Sequence, residues 1–210
     1  MAVTNTAPTP GCRTPRRRDL QKEQTRFDLA VAAFELAKSR GLADARVPEI
    51  AAAVGVSPRT FNNYFTSKEH AIAWLAGRHA AGMAGAVRTT PAEEPLRETL
   101  IAAVIGQYRP GRDLGLPPNW LRDFRSLVAQ EPAVHGEYLR EMASAERELA
   151  DAIETRAPRV GGLGARVLAA TVVGAERAAV TYWMGNRSGS LIETVREALN
   201  QALAGIAEPA

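Results

Sequence analysis

Residues 46–65 read RVPEIAAAVGVSPRTFNNYF, and the fold turns on this stretch. Ile50, Ala51 and Val54 recur at helical spacing, which predicts a short helix over Val47–Val54. Gly55-Val56 turns the chain, since glycine takes a positive φ without a Cβ clash. Ser57-Pro58 supplies an N-cap followed by proline at the first helical position, opening another short helix that runs to about Phe65. Ala51 is small where the two helices must cross, and Val56 and Phe61 join the shared interior. Two short helices around such a turn make a helix-turn-helix. The outer face of the second then presents Pro58, Arg59, Asn62, Asn63 and Tyr64. An α-helix fits the major groove of B-DNA, where Arg pairs with guanine and Asn with adenine. A short recognition helix also turns its N-terminal amides toward phosphates.

Outward from this motif the chain continues to read as helix. Phe27, Ala30, Val31, Phe34 and Ala37 place one apolar stripe on a helix from about Asp19 to Arg40, closed by Gly41. Ser67 is the N-cap of a longer helix over about 67–87, with Ile72, Trp74 and Leu75 in its apolar share. Thr89-Thr90-Pro91 and Glu94-Pro95 mark the clearest internal boundary. Five more helices are expected at roughly 95–107, 118–130, 133–157, 163–186 and 190–206. Their separators are Pro110-Gly111, Pro117-Pro118, Pro132, Pro158 with Gly161-Gly162-Leu163-Gly164 read as a connector, and Gly189. No alternating β-branched run is long enough for a sheet. The fold class is therefore all-α: a three-helix N-terminal head and a larger C-terminal helical bundle, about nine helices in total.

Charge is unevenly spread. The chain of 210 residues carries a formal +3, from 26 Lys and Arg against 23 Asp and Glu. Residues 1–18 hold Arg13, Arg16, Arg17 and Arg18 and no acid, whereas residues 19–70 are neutral in sum. Rich in Thr, Pro and Arg, residues 1–18 read as a disordered basic arm. The domain reading is thus 1–18 arm, 19–66 head, and 67–210 sensing and dimerisation domain. One cysteine, Cys12, supports neither a disulfide framework nor a structural zinc site, so a reduced, cytoplasmic setting is expected. No apolar run approaches membrane-spanning length, and no secretory h-region follows the arginines.

From Asp28 to about Leu75 the chain resembles the DNA-binding domain of the TetR (tetracycline-repressor) family. The matching pieces are Ile50-Ala51, Gly55-Val56-Ser57, Thr60-Phe61, Tyr64-Phe65 and Ser67-Lys68-Glu69. The resemblance implies that Ser57, Arg59, Thr60, Asn63 and Tyr64 contact operator DNA and that Lys68 meets a phosphate. Two positions depart from the family pattern: Arg46 stands where a capping Thr is usual, and Asn62 where an aromatic residue is usual. Arg46 can reach a phosphate but cannot cap. Arg17 and Arg18, with the rest of the arm, are candidates for the minor groove.

The resemblance also implies a ligand cavity between the central helices. Aromatic and sulfur-bearing side chains often line such cavities, and Tyr108, Trp120, Phe124 and Met142 are the candidates for a largely apolar small molecule. Arg122 and Arg125 flank Phe124, with solvent the default for both. His70 and His79 read as ordinary surface or packing residues. The acids of residues 137–154 read as a solvated helix face. A homodimer through the helices about 163–186 and 190–206 is implied, with apolar stripes at Leu168, Val172, Ala175, Ala179 and Trp183 and at Leu191, Val195, Leu199 and Leu203. No metal site, cofactor motif or catalytic pairing emerges, so an enzyme is not expected. The favoured reading is a ligand-responsive homodimeric repressor of operator DNA. The alternative is an all-α interaction or carrier protein without specific DNA binding.

Overall fold

The computed structural model describes residues 17–109, 115–117, 119–186 and 189–205. Within them the chain forms nine α-helices and no strand. The first, α1 (Arg17–Arg40), buries Phe27, Leu29, Ala30, Ala33, Phe34 and Ala37 along one side. It ends where Gly41, at φ 86°, donates its amide to the Ala37 carbonyl. Then follow α2 (Val47–Ala53), α3 (Pro58–Asn62) and the long α4 (Lys68–Thr89). The bundle adds α5 (Leu96–Ile105), α6 (Trp120–Gln130), α7 (Pro132–Arg156), α8 (Gly161–Asn186) and α9 (Leu191–Ala202). Single 3-10 turns follow α5 at Gly106–Tyr108 and α7 at Pro158–Val160. No described helix is long and apolar enough to cross a membrane.

The helix α4 belongs to both halves of the molecule. It packs on α1 and lies along α7, so one continuous core runs from Phe34 and Phe61 in the head to Leu149 and Ile153 in the bundle. Such an uninterrupted core transmits displacement instead of absorbing it, because close-packed interiors are poorly compressible.

Three expectations need correcting. The helix α1 starts at Arg17, so Arg17 and Arg18 are its first residues and not part of an irregular arm; Arg13 and Arg16 lie outside the described residues. The glycine run is no connector but the first turn of α8. A Cβ at Gly164 would stand 2.8 Å from Val160 Cγ1, and one at Gly162 would stand 3.3 Å from Glu154 Oε1, so glycine lets the preceding turn and α7 press against the start of α8. Third, the apolar stripes assigned to self-association are largely spent inside one chain: Leu168, Val172, Ala179, Val195, Leu199 and Leu203 are all buried. The separators at Pro110-Gly111 and Pro118 lie outside the described residues.

Candidate nucleic-acid interface and ligand cavity

The head is built around Ile50, Ala51 and Phe61, each with no solvent exposure. Gly55 sits at φ 73° between α2 and α3, and the amide of Val56 returns to the Ala51 carbonyl at 3.0 Å. A short helix with unsatisfied amides needs a cap, and α3 has one: Ser57 Oγ accepts from the Thr60 amide at 3.1 Å and shares a 2.9 Å hydrogen bond with Thr60 Oγ1. The helix α2 has none, for Arg46 makes no side-chain cap hydrogen bond and its exposed guanidinium remains available.

With Phe61 turned inward, Pro58, Arg59, Asn62 and Asn63 of the α3 segment are exposed together with Ser57, while Thr60 and Tyr64 are half-buried. Lys68, expected at a phosphate, is half-buried in the free protein. Its ammonium donates to the Leu42 carbonyl and, at 3.4 Å, to that of Ala43, so it ties the start of α4 to the chain leaving α1. Ser67 caps α4 through the His70 amide at 3.0 Å.

The bundle encloses a cavity of about 30 Å³ between α4, α6, α7 and α8 and the 3-10 turn after α5. Tyr108, Trp120, Phe124 and Met142 all line it. So do His79, Gln107, Arg125, Tyr138 and Glu176, which composition alone did not single out as a set. His79 lies on the α4 face that also carries Ala76, Ala80 and Met83, an i, i+3, i+4, i+7 pattern visible in the sequence. Glu176 interrupts the longest apolar run in the chain, which was its signal.

The walls are aromatic, with neighbouring rings edge-on or tilted. His79 stands 5.3 Å from the Trp120 ring and 5.7 Å from that of Tyr108; Phe124 stands 5.9 Å from Trp120 and 5.8 Å from Tyr138. Arg125 is 12 % exposed and faces inward, contrary to the solvent default. Its Nη1 donates to Tyr138 Oη at 2.5 Å, and its Nη2 lies 3.8 Å from Glu176 Oε2. The Tyr108 hydroxyl donates to the same carboxylate. Arg122 instead lies over the Trp183 ring at 5.0 Å.

Burial governs the protonation states. It lowers the His79 pKa to about 4, helped by the charge of Arg125, so the ring is neutral near pH 7. Burial raises Tyr108 well above its ordinary value, reinforced by Glu176, and raises Tyr138 despite the opposing charge of Arg125. Of the four side-chain nitrogens buried without a hydrogen-bond partner among the described residues, two, His79 Nε2 and Arg125 Nε, belong to the cavity lining; the others are Arg26 Nε and Arg156 Nε.

Two features join cavity to head. Ala76, His79, Ala80 and Met83 ride on α4, whose first turn carries Lys68. Less expected, α6 touches α1 directly: the Phe124 ring stands 6.4 Å from Phe34, and Asp123 lies 3.5 Å from Lys38 Nζ. Glu141, read as part of a solvated face, is half-buried against α4; a Cβ at Gly77 would collide with its carboxylate, and its Oε1 is 3.6 Å from His70 Nε2. Burial pushes the Glu141 pKa up. No group of three or more potential metal-ligating side chains comes together among the described residues.

A compact helix-turn-helix head carried on a helical bundle with an internal cavity defines the class of this molecule. Residues 29–71 match the bacterial regulatory proteins of the tetR family, and residues 94–207, more than half of the chain, match the MftR C-terminal domain. The chain belongs to the tetR family of bacterial regulatory proteins. It is 34 % identical over 145 residues to the HTH-type transcriptional regulator TcmR of Streptomyces glaucescens, an alignment covering 68 % of this chain and 64 % of that protein. The chain thus matches just under two thirds of that relative's length. SmeT, the repressor of the Stenotrophomonas maltophilia multidrug efflux pump SmeDEF, shares the fold with a TM-score of 0.56 at 17 % identity, over 87 % of this chain and 90 % of its own. Thermus thermophilus FadR, a repressor solved in complex with lauroyl-CoA, gives 0.53 at 21 % identity, over 88 % and 96 %. At these identities the likeness is one of fold.

Proposed function

We propose that this protein is a homodimeric transcriptional repressor that reads operator DNA with α3 and is released by a small molecule held in the bundle cavity. The observation that carries the reading is the face of α3. Ser57, Pro58, Arg59, Asn62 and Asn63 are exposed together on a helix otherwise fixed by Phe61. Arg59 and the two asparagines have the donor and acceptor sets that distinguish guanine and adenine edges. Thr60 and Tyr64, half-buried at the edge of that face, complete the contact set. Arg46, at the exposed start of α2, takes a backbone phosphate. Arg17 and Arg18, at the exposed start of α1, reach the adjacent backbone or minor groove. With Lys68 tied to Leu42 and Ala43, its part is to hold the head together.

A single head of this size reads too few base pairs for specificity, and helix-turn-helix dimers place two recognition helices about 34–36 Å apart. The surface that supports pairing is on α8, where Leu163, Val167 and Tyr182 are 79 %, 56 % and 66 % exposed. These lie on the side away from the stripe spent inside the chain, and with α9 beside them they form the face on which two copies meet.

Release follows from differential binding: a ligand shifts the equilibrium only by its preference for one arrangement of the heads. At about 30 Å³ the cavity holds water-sized molecules, far below the roughly 300 Å³ of ordinary ligand sites. A ligand must therefore part α4 from α6, and both helices bear on the head. The DNA-competent arrangement is the collapsed one. Relatives whose names describe a regulator, TcmR, and repressors, SmeT and FadR, support the reading.

The test is fluorescence anisotropy with duplexes from the DNA flanking the protein's own coding region. Wild type should bind one duplex selectively, and the Arg59→Ala/Asn63→Ala variant, folded by circular dichroism, should lose about 2–5 kcal/mol on that duplex. Equal binding by the two proteins would remove α3 from the interface.

A further inference from the structure

We propose that the cavity selects an uncharged, planar aromatic molecule bearing a hydroxyl or carbonyl oxygen, and discriminates against carboxylates. This rests on the reading of the cavity as the effector site. Three observations on the lining residues carry it.

The first is charge balance. Arg125 and Glu176 are the ionised groups lining the cavity, and they face each other at 3.8 Å. The guanidinium is further engaged by Tyr138 Oη, and the carboxylate by the Tyr108 hydroxyl. An incoming carboxylate would meet an arginine already neutralised and would be buried beside a second carboxylate. Desolvation without a new counter-charge opposes its entry. A neutral ligand meets no such opposition.

The second is the pair of unsatisfied atoms. Arg125 Nε is a donor, and His79 Nε2 is a donor or an acceptor according to tautomer. Both are buried and belong to residues that line the cavity, one from α6 and one from α4. A hydrocarbon would leave both unpaired. A single hydroxyl or carbonyl oxygen on the ligand satisfies the arginine, and a hydroxyl also suits either tautomer of the histidine.

The third is shape. His79 meets Tyr108 and Trp120 edge-on, Phe124 meets Tyr138 edge-on and Trp120 at a tilt of 53°, and Met83 and Met142 complete the wall. Methionine side chains re-pack readily and contact aromatic rings favourably. Their displacement opens a slot between ring faces, which a flat π-system fills better than a flexible acyl chain.

The experiment uses the full-length protein at pH 7 and isothermal titration with four probes: 1-naphthol, naphthalene, 2-naphthoate and decanoate. The expected order places 1-naphthol at least tenfold tighter than each of the other three. In Glu176→Gln, which leaves the Arg125 charge uncompensated, 2-naphthoate should gain at least tenfold. In His79→Phe, 1-naphthol should lose most of its advantage over naphthalene. Because the probe series on wild type stands alone, the result does not depend on either variant folding. Tighter binding of 2-naphthoate or decanoate than of 1-naphthol overturns the ligand class and leaves the effector-site reading in place. Equal binding of naphthalene and 1-naphthol overturns the role of the polar atoms, and so does a Glu176→Gln protein that takes 2-naphthoate no better. Failure of all four probes to bind overturns the ligand class and the effector-site reading together.

Discussion

Replacing His79 with phenylalanine removes the imidazole that the cavity buries while keeping a ring between Tyr108 and Trp120. Burial, with Arg125 nearby, holds the folded-state pKa of His79 at about 4, against 6.5 for an unperturbed histidine. As the pH falls, the unfolded chain therefore takes up this proton first. The stability contributed by the neutral ring is fully present above pH 6.5 and is lost as the pH falls through 4. Integrating the proton difference gives a loss of about 1 kcal/mol at pH 6, about 2 kcal/mol at pH 5 and about 3 kcal/mol at pH 4. The phenylalanine variant lacks this component but keeps every other titrating group. Urea denaturation of both proteins, at one protein concentration, between pH 7.5 and 4.5 gives the difference directly. The variant should gain on wild type by about 2 kcal/mol between pH 7.5 and pH 5, whatever its offset at neutral pH. A difference that stays flat with pH, or an NMR titration placing His79 near 6.5, would refute the buried, neutral ring and with it this description of the cavity wall.

Other consequences are more local. Lys68→Met should destabilise the protein by about 1–2 kcal/mol in urea, because carbonyls at Leu42 and Ala43 lose a charged donor; unchanged stability with weakened DNA binding would restore the phosphate role. Gly55→Ala should cost about 1–2 kcal/mol, since φ is 73° and a Cβ there meets no atom, leaving the backbone as the whole penalty; a neutral effect in the same assay would mean the turn relaxes. Deleting residues 1–16 removes Arg13 and Arg16 and should flatten the slope of log affinity against log salt by up to about 1.8, with sequence preference retained. An unchanged slope would show that this segment lies off the DNA.

The head was legible in the sequence because its signals are local. The turn at Gly55, the cap at Ser57 and the inward Phe61 each depend on a few neighbouring residues, and the structure puts all three where that chemistry requires. The tie that Lys68 makes was illegible for the opposite reason: its partners are 26 and 25 residues away, and only the path of the chain brings the Leu42 and Ala43 carbonyls to its ammonium. The cavity was half legible. Large apolar side chains on central helices announce themselves, so Tyr108, Trp120, Phe124 and Met142 could be named. Arg125 and Glu176 could not be paired, because they come from α6 and α8 and only packing brings them together. The α8 stripe shows the limit of periodicity. Apolar spacing says that a face is buried, not by what, and here the chain's own neighbours bury it while Leu163, Val167 and Tyr182 remain outside.

The central claim, a paired head that reads DNA, is tested most directly by footprinting the DNA flanking the protein's own coding region at physiological salt. The account predicts one protected, near-palindromic site. Its half-sites should be separated by about 10 base pairs or a multiple of that, and protection should be lost with Arg59→Ala/Asn63→Ala. Protection of a lone half-site would contradict the dimer. No protection at micromolar protein, with an affinity that does not change with salt, would contradict DNA recognition altogether.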